Sequence, residues 1–316
     1  MRGKLVILLV LCALMISACG NNTSNNNNTN TGSGGNTANE TNNGSNGGSN
    51  DGKAKTTLEK AQEQGYVTVG FAGENPYAYK DENGELTGEA VEIAKVVLKR
   101  LGIDEIKGEL TEFSALIAGL NSNRFDLITA GMFINPERCE AVLFADPEYS
   151  IGEGIAVKAG NPKALKSYAD IADKGAKVAV MTGAVEIGYL EASGVKESQM
   201  VMVADQDAAV SAVQSGRADA MTMTGPALQS RLEQANDSKL ERVMDFEQPI
   251  VDGASVRGYG AAAFRMKDTS FRDAYTAELN KMKENGELLE ILKKFGFTEQ
   301  EMPGDATSEQ LCTPAA

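Results

Sequence analysis

From residue 58 onward the chain alternates between two apolar periods. Residues 66–71, YVTVGF, alternate apolar and polar and are rich in β-branched and aromatic types, which predicts a first strand. Ala90, Ile93, Ala94, Val97, Leu98 and Leu101 recur three and four apart, the spacing of an amphipathic helix, and Gly102 stops it. Residues 58–65 predict a short helix before the strand, and residues 79–88, carrying Asn83-Gly84, a hairpin. Residues 105–110, 113–120 and 127–130 then predict strand, helix and strand. Strands and helices in alternation imply a parallel sheet covered on both faces.

The pattern restarts beyond residues 155–158. Strands are predicted at 177–181, 200–203 and 220–223, and helices at 184–193, 207–215 and 226–235. A further strand at 259–265 and helices at 271–283 and 287–295 close the chain, with Leu279, Met282, Leu288, Leu289, Ile291 and Leu292 as their apolar stripes. The halves echo each other weakly: LNSNRFD at 120–126 aligns with VQSGRAD at 213–219, each leading through an apolar run to Thr129 or Thr222. In both, Arg and Asp two apart at a helix-to-strand turn are expected to pair locally. The chain crosses to a second lobe near 152–154 and returns near 256–258. Two crossings make a hinge rather than a swivel. The expected architecture is α/β in two lobes, lobe one 57–153 with 258–316 and lobe two 154–257.

The N-terminal region has a different pattern. Arg2 and Lys4 precede an apolar run at 5–16 that is too short to span a bilayer. Residues 1–19 end in Ile-Ser-Ala-Cys and resemble a bacterial lipoprotein signal, which implies cleavage before Cys19 and a diacylglycerol on its thiol. The alternative is a plain secretory signal. Residues 20–56 are read as a flexible tether, almost entirely Asn, Thr, Ser and Gly up to residue 51. They cannot bury enough surface to offset their ordering entropy. A lipid anchor on the outer face of a cell membrane follows. Gly20 after Cys19 leaves open which membrane carries it.

Composition narrows the chemistry. The chain of 316 residues has a formal net charge of -14 and no His. The acidic balance argues against nucleic acid, which needs a basic footprint. The missing His excludes Ser-His and Cys-His catalysis and His-ligated zinc. No metal or cofactor is expected. Of four Cys, Cys12 leaves with the signal and Cys19 takes the lipid. Cys139 and Cys312 remain in an oxidising setting and are expected to pair, the alternative being two free thiols.

Residues 129–140, TAGMFINPERCE, concentrate the candidate binding chemistry. A short apolar strand to Ala130 is followed by Gly131, which permits close backbone approach, and by the aromatic Phe133. Pro136 suits the first turn of a helix, and Arg138 sits just inside it. Arg is suited to a carboxylate because its planar fork of donors meets two oxygens at once.

These features resemble the extracellular solute-binding proteins of amino-acid-type ABC transporters, two-lobed α/β proteins that close on a ligand. The resemblance covers about residues 58–304 and rests on FAGENPYAYKDENGELTGE, NRFDLITAGMFINPERCE, FADPEY and GRADAM. It implies a type II periplasmic-binding fold and delivery of ligand to permease subunits, by a monomer. Residues 129–140, 161–173 and 183–190 and the Cys near the C-terminus resemble the ectoine/hydroxyectoine-binding subgroup. By that resemblance Glu74, Tyr77, Phe113, Phe133, Arg138 and Glu186 are candidate ligand contacts, and the local reading adds Gly131 for close backbone approach and Gly183 for its turn amides. Tyr77 and Phe113 exchange one aromatic for another relative to the subgroup pattern. Thr224 falls where α-amino-acid binders of the family carry an Asp for the ligand's ammonium, so a cyclic amidinium acid is the better expectation.

On this reading three aromatic faces enclose a delocalised cation and Arg138 holds a carboxylate. Amides at Gly183–Ala184 add to that grip, and Glu74 and Glu186 accept ring N–H groups from opposite lobes. Core packing is the competing reading of the aromatics, and a solvated helix face that of Glu186. A polar or cationic amino acid is the alternative ligand. An enzyme built on paired Glu74 and Glu186 lacks a nucleophile with an adjacent base, and a sensory role would need a separate receptor.

Overall fold

The apolar runs become the strands of two mixed sheets. A computed structural model gives this fold and describes residues 54–251 and 253–313; the signal, the tether to residue 53, Cys12 and Cys19 lie outside the described residues. The first sheet orders Glu105–Leu110, Tyr66–Phe71, Leu127–Phe133, Gly258–Phe264 and Leu143–Phe144, and Tyr149–Ile151 also pairs with Gly258–Phe264. The second orders Met200–Val203, Val178–Met181, Ala220–Thr224, Glu153–Lys158 and Leu240–Arg242. In each sheet three neighbouring strands run parallel. Beside them one strand runs antiparallel, Gly258–Phe264 in the first and Glu153–Lys158 in the second.

The chain leaves the first sheet at Ile151, enters the second at Glu153, and rejoins the first at Gly258. Gln248 braces the outgoing crossing. Its Oε1 accepts from the Glu153 amide at 2.8 Å, and its Nε2 donates to the Glu153 carbonyl at 2.8 Å. Helix Glu89–Arg100 buries the Ala90, Val91, Ile93, Ala94, Val97 and Leu98 stripe, as its spacing predicts, and Gly102 beyond it adopts a positive φ of 81°.

Two expectations need correction. The strand predicted at 127–130 continues to Phe133 and is buried throughout. Gly131 therefore lies inside the strand. It sits at φ 62°, where the ladder with Gly258–Phe264 shifts register between Ala261 and Ala263. A Cβ there would lie 2.7 Å from both the Tyr149 hydroxyl and the Tyr77 ring, so glycine is required twice over. The second correction concerns the sequence echo. Arg124 turns to Glu109 at 2.8 Å instead of to Asp126. Asp126 accepts from the Thr68 amide at 3.0 Å, and Asp219 accepts from the Lys177 amide at 2.8 Å. The same carboxylate cap thus ties neighbouring strands together in both sheets.

Cys139 and Cys312 form a disulfide across 173 residues of sequence. It joins the short helices Pro136–Cys139 and Ser308–Cys312, and the Ser308 amide donates to Asp146 at 2.9 Å. Closing so long a loop is worth up to ~5 kcal/mol on chain-entropy grounds. We expect Cys312→Ser to lower the melting temperature by several degrees. Calorimetry with and without reductant checks this, and a wild-type melting point unmoved by reductant would refute it.

Candidate functional site

Open α/β sheets place ligands beyond the carboxyl ends of their parallel strands. Here the two such edges face each other across a narrow cavity of about 50 Å³. Glu74, Tyr77, Phe113, Gly131, Phe133 and Arg138 line it from the first-sheet side, and Glu186 and Thr224 from the second. Sequence reasoning missed Met181, Gln206, Thr222 and Met223 on the same wall. Their neutral or apolar side chains lie at the ends of strands or at a helix start, and nothing in their local sequence marks them as lining a cavity.

Arg138 is held before any ligand arrives. Asn135 caps its helix, accepting the Arg138 amide at 2.8 Å. One terminal nitrogen donates to the Phe133 carbonyl at 2.7 Å and the other to the Gly183 carbonyl, on the opposite lobe, at 2.9 Å. The guanidinium carbon stands 5.3 Å from the centre of the Phe113 ring. Two of five N–H donors are thus used, and three remain. Burial lowers the Arg138 pKa, and the nearby Glu186 is the main opposing influence.

Gly183 does not line the cavity. With φ at 81° it turns its carbonyl to Arg138 and so orients the guanidinium, while Ala184 beside it reaches the cavity wall. The aromatic cage is also narrower than expected. Arg138 stands over the Phe113 ring, and Tyr149 stacks on Tyr77 at 5.4 Å and 18°. Phe133 meets Tyr149 edge-on at 6.3 Å and lies flat enough on the backbone that a Cβ at Gly258 would fall 1.7 Å from its ring. The Tyr77 hydroxyl and the Thr224 hydroxyl are 2.6 Å apart across the gap. Arg231 also crosses it, donating to the Gly73 carbonyl at 3.1 Å. With the Arg138–Gly183 bond these contacts hold the two lobes together.

The carboxyl groups carry the unusual electrostatics. Glu74 is buried and one of its oxygens has no hydrogen-bond partner. Burial, helped by the charge of Glu186, pushes its pKa up to about 8, against the pull of Arg231 and Arg138. Burial likewise raises Glu186. Its neighbour Glu153, which sequence reasoning also missed, is pushed well up by burial and by Glu186. A lone Glu opening an apolar run could have flagged it, but such a residue normally faces water. Arg138 is the one guanidinium lining this cavity, so its surroundings hold more carboxyl than cationic groups. Among the described residues no cluster of His, Cys, Asp and Glu is arranged to hold a metal ion.

The comparisons agree on the class of protein. The family model for bacterial extracellular solute-binding proteins, family 3, matches residues 67–299. A probable amino-acid ABC transporter periplasmic-binding protein, y4tE of Sinorhizobium fredii, is 36% identical over 261 residues, 81% of this chain and 86% of that one. The arginine-binding extracellular protein ArtP of Bacillus subtilis is 31% identical over 227 residues, 71% of this chain and 82% of its own. Among solved structures, EhuB in complex with hydroxyectoine is similar with a TM-score of 0.75 and 34% identity, covering 82% of this chain and 98% of that one. A two-sheet cleft with a buried guanidinium, matched over this length, identifies the chain as a member of family 3 of the bacterial extracellular solute-binding proteins, the amino-acid binding components of ABC transporters.

Proposed function

We propose that this protein captures ectoine or hydroxyectoine between its lobes and hands it to the permease of an ABC importer. The observation that carries this reading is the charge pattern of the cavity. One pre-oriented guanidinium awaits a carboxylate, while Glu74 and Glu186 stand on opposite lobes to accept N–H groups from a single cation. An α-ammonium is compact and needs a carboxylate beside it at the end of the Ala220–Thr224 strand. That place holds Thr224, whose hydroxyl is engaged with Tyr77. A cyclic amidinium spreads its charge over a ring and meets the remaining aromatic faces of Tyr77 and Phe133 more favourably. The likeness to the hydroxyectoine complex of EhuB supports the same assignment.

The ligand bridges the lobes, so it favours the closed form by its difference in affinity between open and closed states. Gly152 and the return before Gly258 serve as the hinge between lobe one, 57–153 with 258–316, and lobe two, 154–257. Residues 1–19 are the signal, Cys19 carries the lipid, and residues 20–56 tether a monomer to the outer face of the membrane. A second reading, binding of arginine, is favoured by the likeness to ArtP and by the excess of carboxyl groups.

Ectoine or hydroxyectoine should raise the melting temperature and give saturable heats in titration calorimetry. Tight arginine binding with no ectoine response would move the assignment to the second reading. Replacement Arg138→Ala should weaken ectoine about 100-fold or more, as expected for two charge-assisted hydrogen bonds at ~1.5–3 kcal/mol each. Wild-type affinity in that variant would remove the carboxylate role.

The Glu74 proton gives a pH dependence with a definite sign. Its folded pKa of about 8 lies above the ordinary 4.5, so the folded, ligand-free state holds a proton the unfolded chain has released. That stabilisation is complete below about 4.5 and is lost as pH rises through about 8. The melting temperature of the ligand-free protein should therefore fall over this interval, and Glu74→Gln should make the fall shallower. A ligand N–H needs the ionised form, so affinity should rise towards pH 8 in wild type and less in the variant; identical profiles would contradict this.

A further inference from the structure

Behind the cavity wall stands a carboxyl group that the ligand reading leaves unused. Glu153 opens the strand Glu153–Lys158 directly after the Gly152 crossing and is 3% exposed. Gln248 holds its main chain through both the amide and the carbonyl. Neither of its carboxyl oxygens meets an N–H or O–H donor among the described residues. The carboxyl that acts on it most directly is that of Glu186, which lines the cavity.

Aromatic hydroxyls and charged groups face this pair, and the Glu186 carboxyl also takes its own main-chain amide. The phenols of Tyr168, Tyr189 and Tyr77 stand near enough to feel the charge of Glu153. The hydroxyls of Tyr168 and Tyr77 are already engaged with Thr222 and Thr224. Glu74 faces Glu186 across the cavity, and Arg138 is the cation that acts on Glu186. Two ionised carboxylates do not sit in contact in a dry site, so one proton belongs to the pair.

We propose that Glu153 is a positioning residue that shares one proton with Glu186 and so makes Glu186 a single, oriented acceptor for the N–H group of a ligand with one delocalised positive charge. Glu153 donates its O–H to the Glu186 carboxyl, which also accepts its own main-chain amide, and the remaining lone pairs are left for the ligand. The lobe-two wall then presents one negative charge where two carboxyl groups stand. The ligand's chemistry rests on the reading given above; the shared proton does not.

Two variants of the full chain separate this from a merely structural role. Glu153→Gln keeps an N–H donor against Glu186 with no proton to lose, and Glu153→Leu removes the donor. In ligand-free protein, the infrared carbonyl band of a protonated carboxyl should be lost in the Glu153→Gln minus wild-type difference. In titrations with ectoine, Glu153→Gln should bind within about twofold of wild type. Glu153→Leu should bind about tenfold or more weakly, one charge-assisted hydrogen bond's worth. The acid limb of its affinity profile should also move to higher pH, because ionised Glu186 has lost its donor. An unchanged infrared band in Glu153→Gln overturns the proposal, as does a Glu153→Leu variant with wild-type affinity and acid limb. If the band is lost but none of the three proteins binds ectoine, the ligand reading falls and the shared proton stands.

Discussion

A guanidinium taken out of water must have its donors met, and meeting those of Arg138 requires both lobes. One carbonyl comes from Phe133 on its own side and the other from Gly183 across the cleft. A buried cation left half-paired is costly, so the same contact that orients Arg138 also makes the closed arrangement of the lobes its preferred setting. The rest of the site follows from this placement. Phe113 is positioned to cover the guanidinium, Asn135 fixes the start of its helix, and the disulfide at the next residue, Cys139, ties that helix to the C-terminal one.

Rigidity on the aromatic side has a different source. Tyr149 lies between the Tyr77 ring and the backbone of two glycines. Its hydroxyl donates to the Gly131 carbonyl at 2.7 Å, and a Cβ at Gly260 would fall 2.1 Å from its ring. Phe297 closes the far side at 5.3 Å. Tyr77 therefore meets the cavity as a fixed surface, and so does Phe133 over Gly258. Fixed surfaces lose little side-chain entropy on binding. The lobe-two wall is built of shorter side chains, Thr222, Met223 and Thr224, whose strand is anchored at its start by the Asp219 cap on Lys177.

How much of this could be read from the chain depends on whether the cause is local. Strand Tyr66–Phe71 and helix Glu89–Arg100 follow from side-chain periods of two and 3.6, which neighbours in sequence set. Arg138 and Phe133 stand in one dense motif and were legible with it. The strand end was misplaced at Ala130 because glycine after an apolar run can end a strand or form a bulge within it. Only the partner strand Gly258–Phe264, more than a hundred residues away, decides between them. The Gly183 carbonyl contact was hidden for a related reason: its direction is set by a positive φ and by an arginine on the other lobe. Glu153 was invisible because burial is a tertiary property. A glutamate beginning a strand ordinarily faces solvent, and this one faces another glutamate.

Closure and charge are then two aspects of one problem. Without ligand the cleft concentrates Glu74, Glu153 and Glu186 around a single lining guanidinium, and each holds its proton more tightly than carboxyl groups do in water. A ligand carrying both a carboxylate and a positive charge supplies both needs: an acceptor for the three free donors of Arg138, and donors for Glu74 on the same side and Glu186 opposite. A simple cation would satisfy the glutamates and leave Arg138 half-paired, and a simple anion would do the reverse at the cost of repulsion from Glu186. The geometry therefore selects for a small zwitterion before it selects for any particular one. On the second-sheet side the strand terminus meets this ligand with Thr224, whose hydroxyl is already engaged with Tyr77 across the gap.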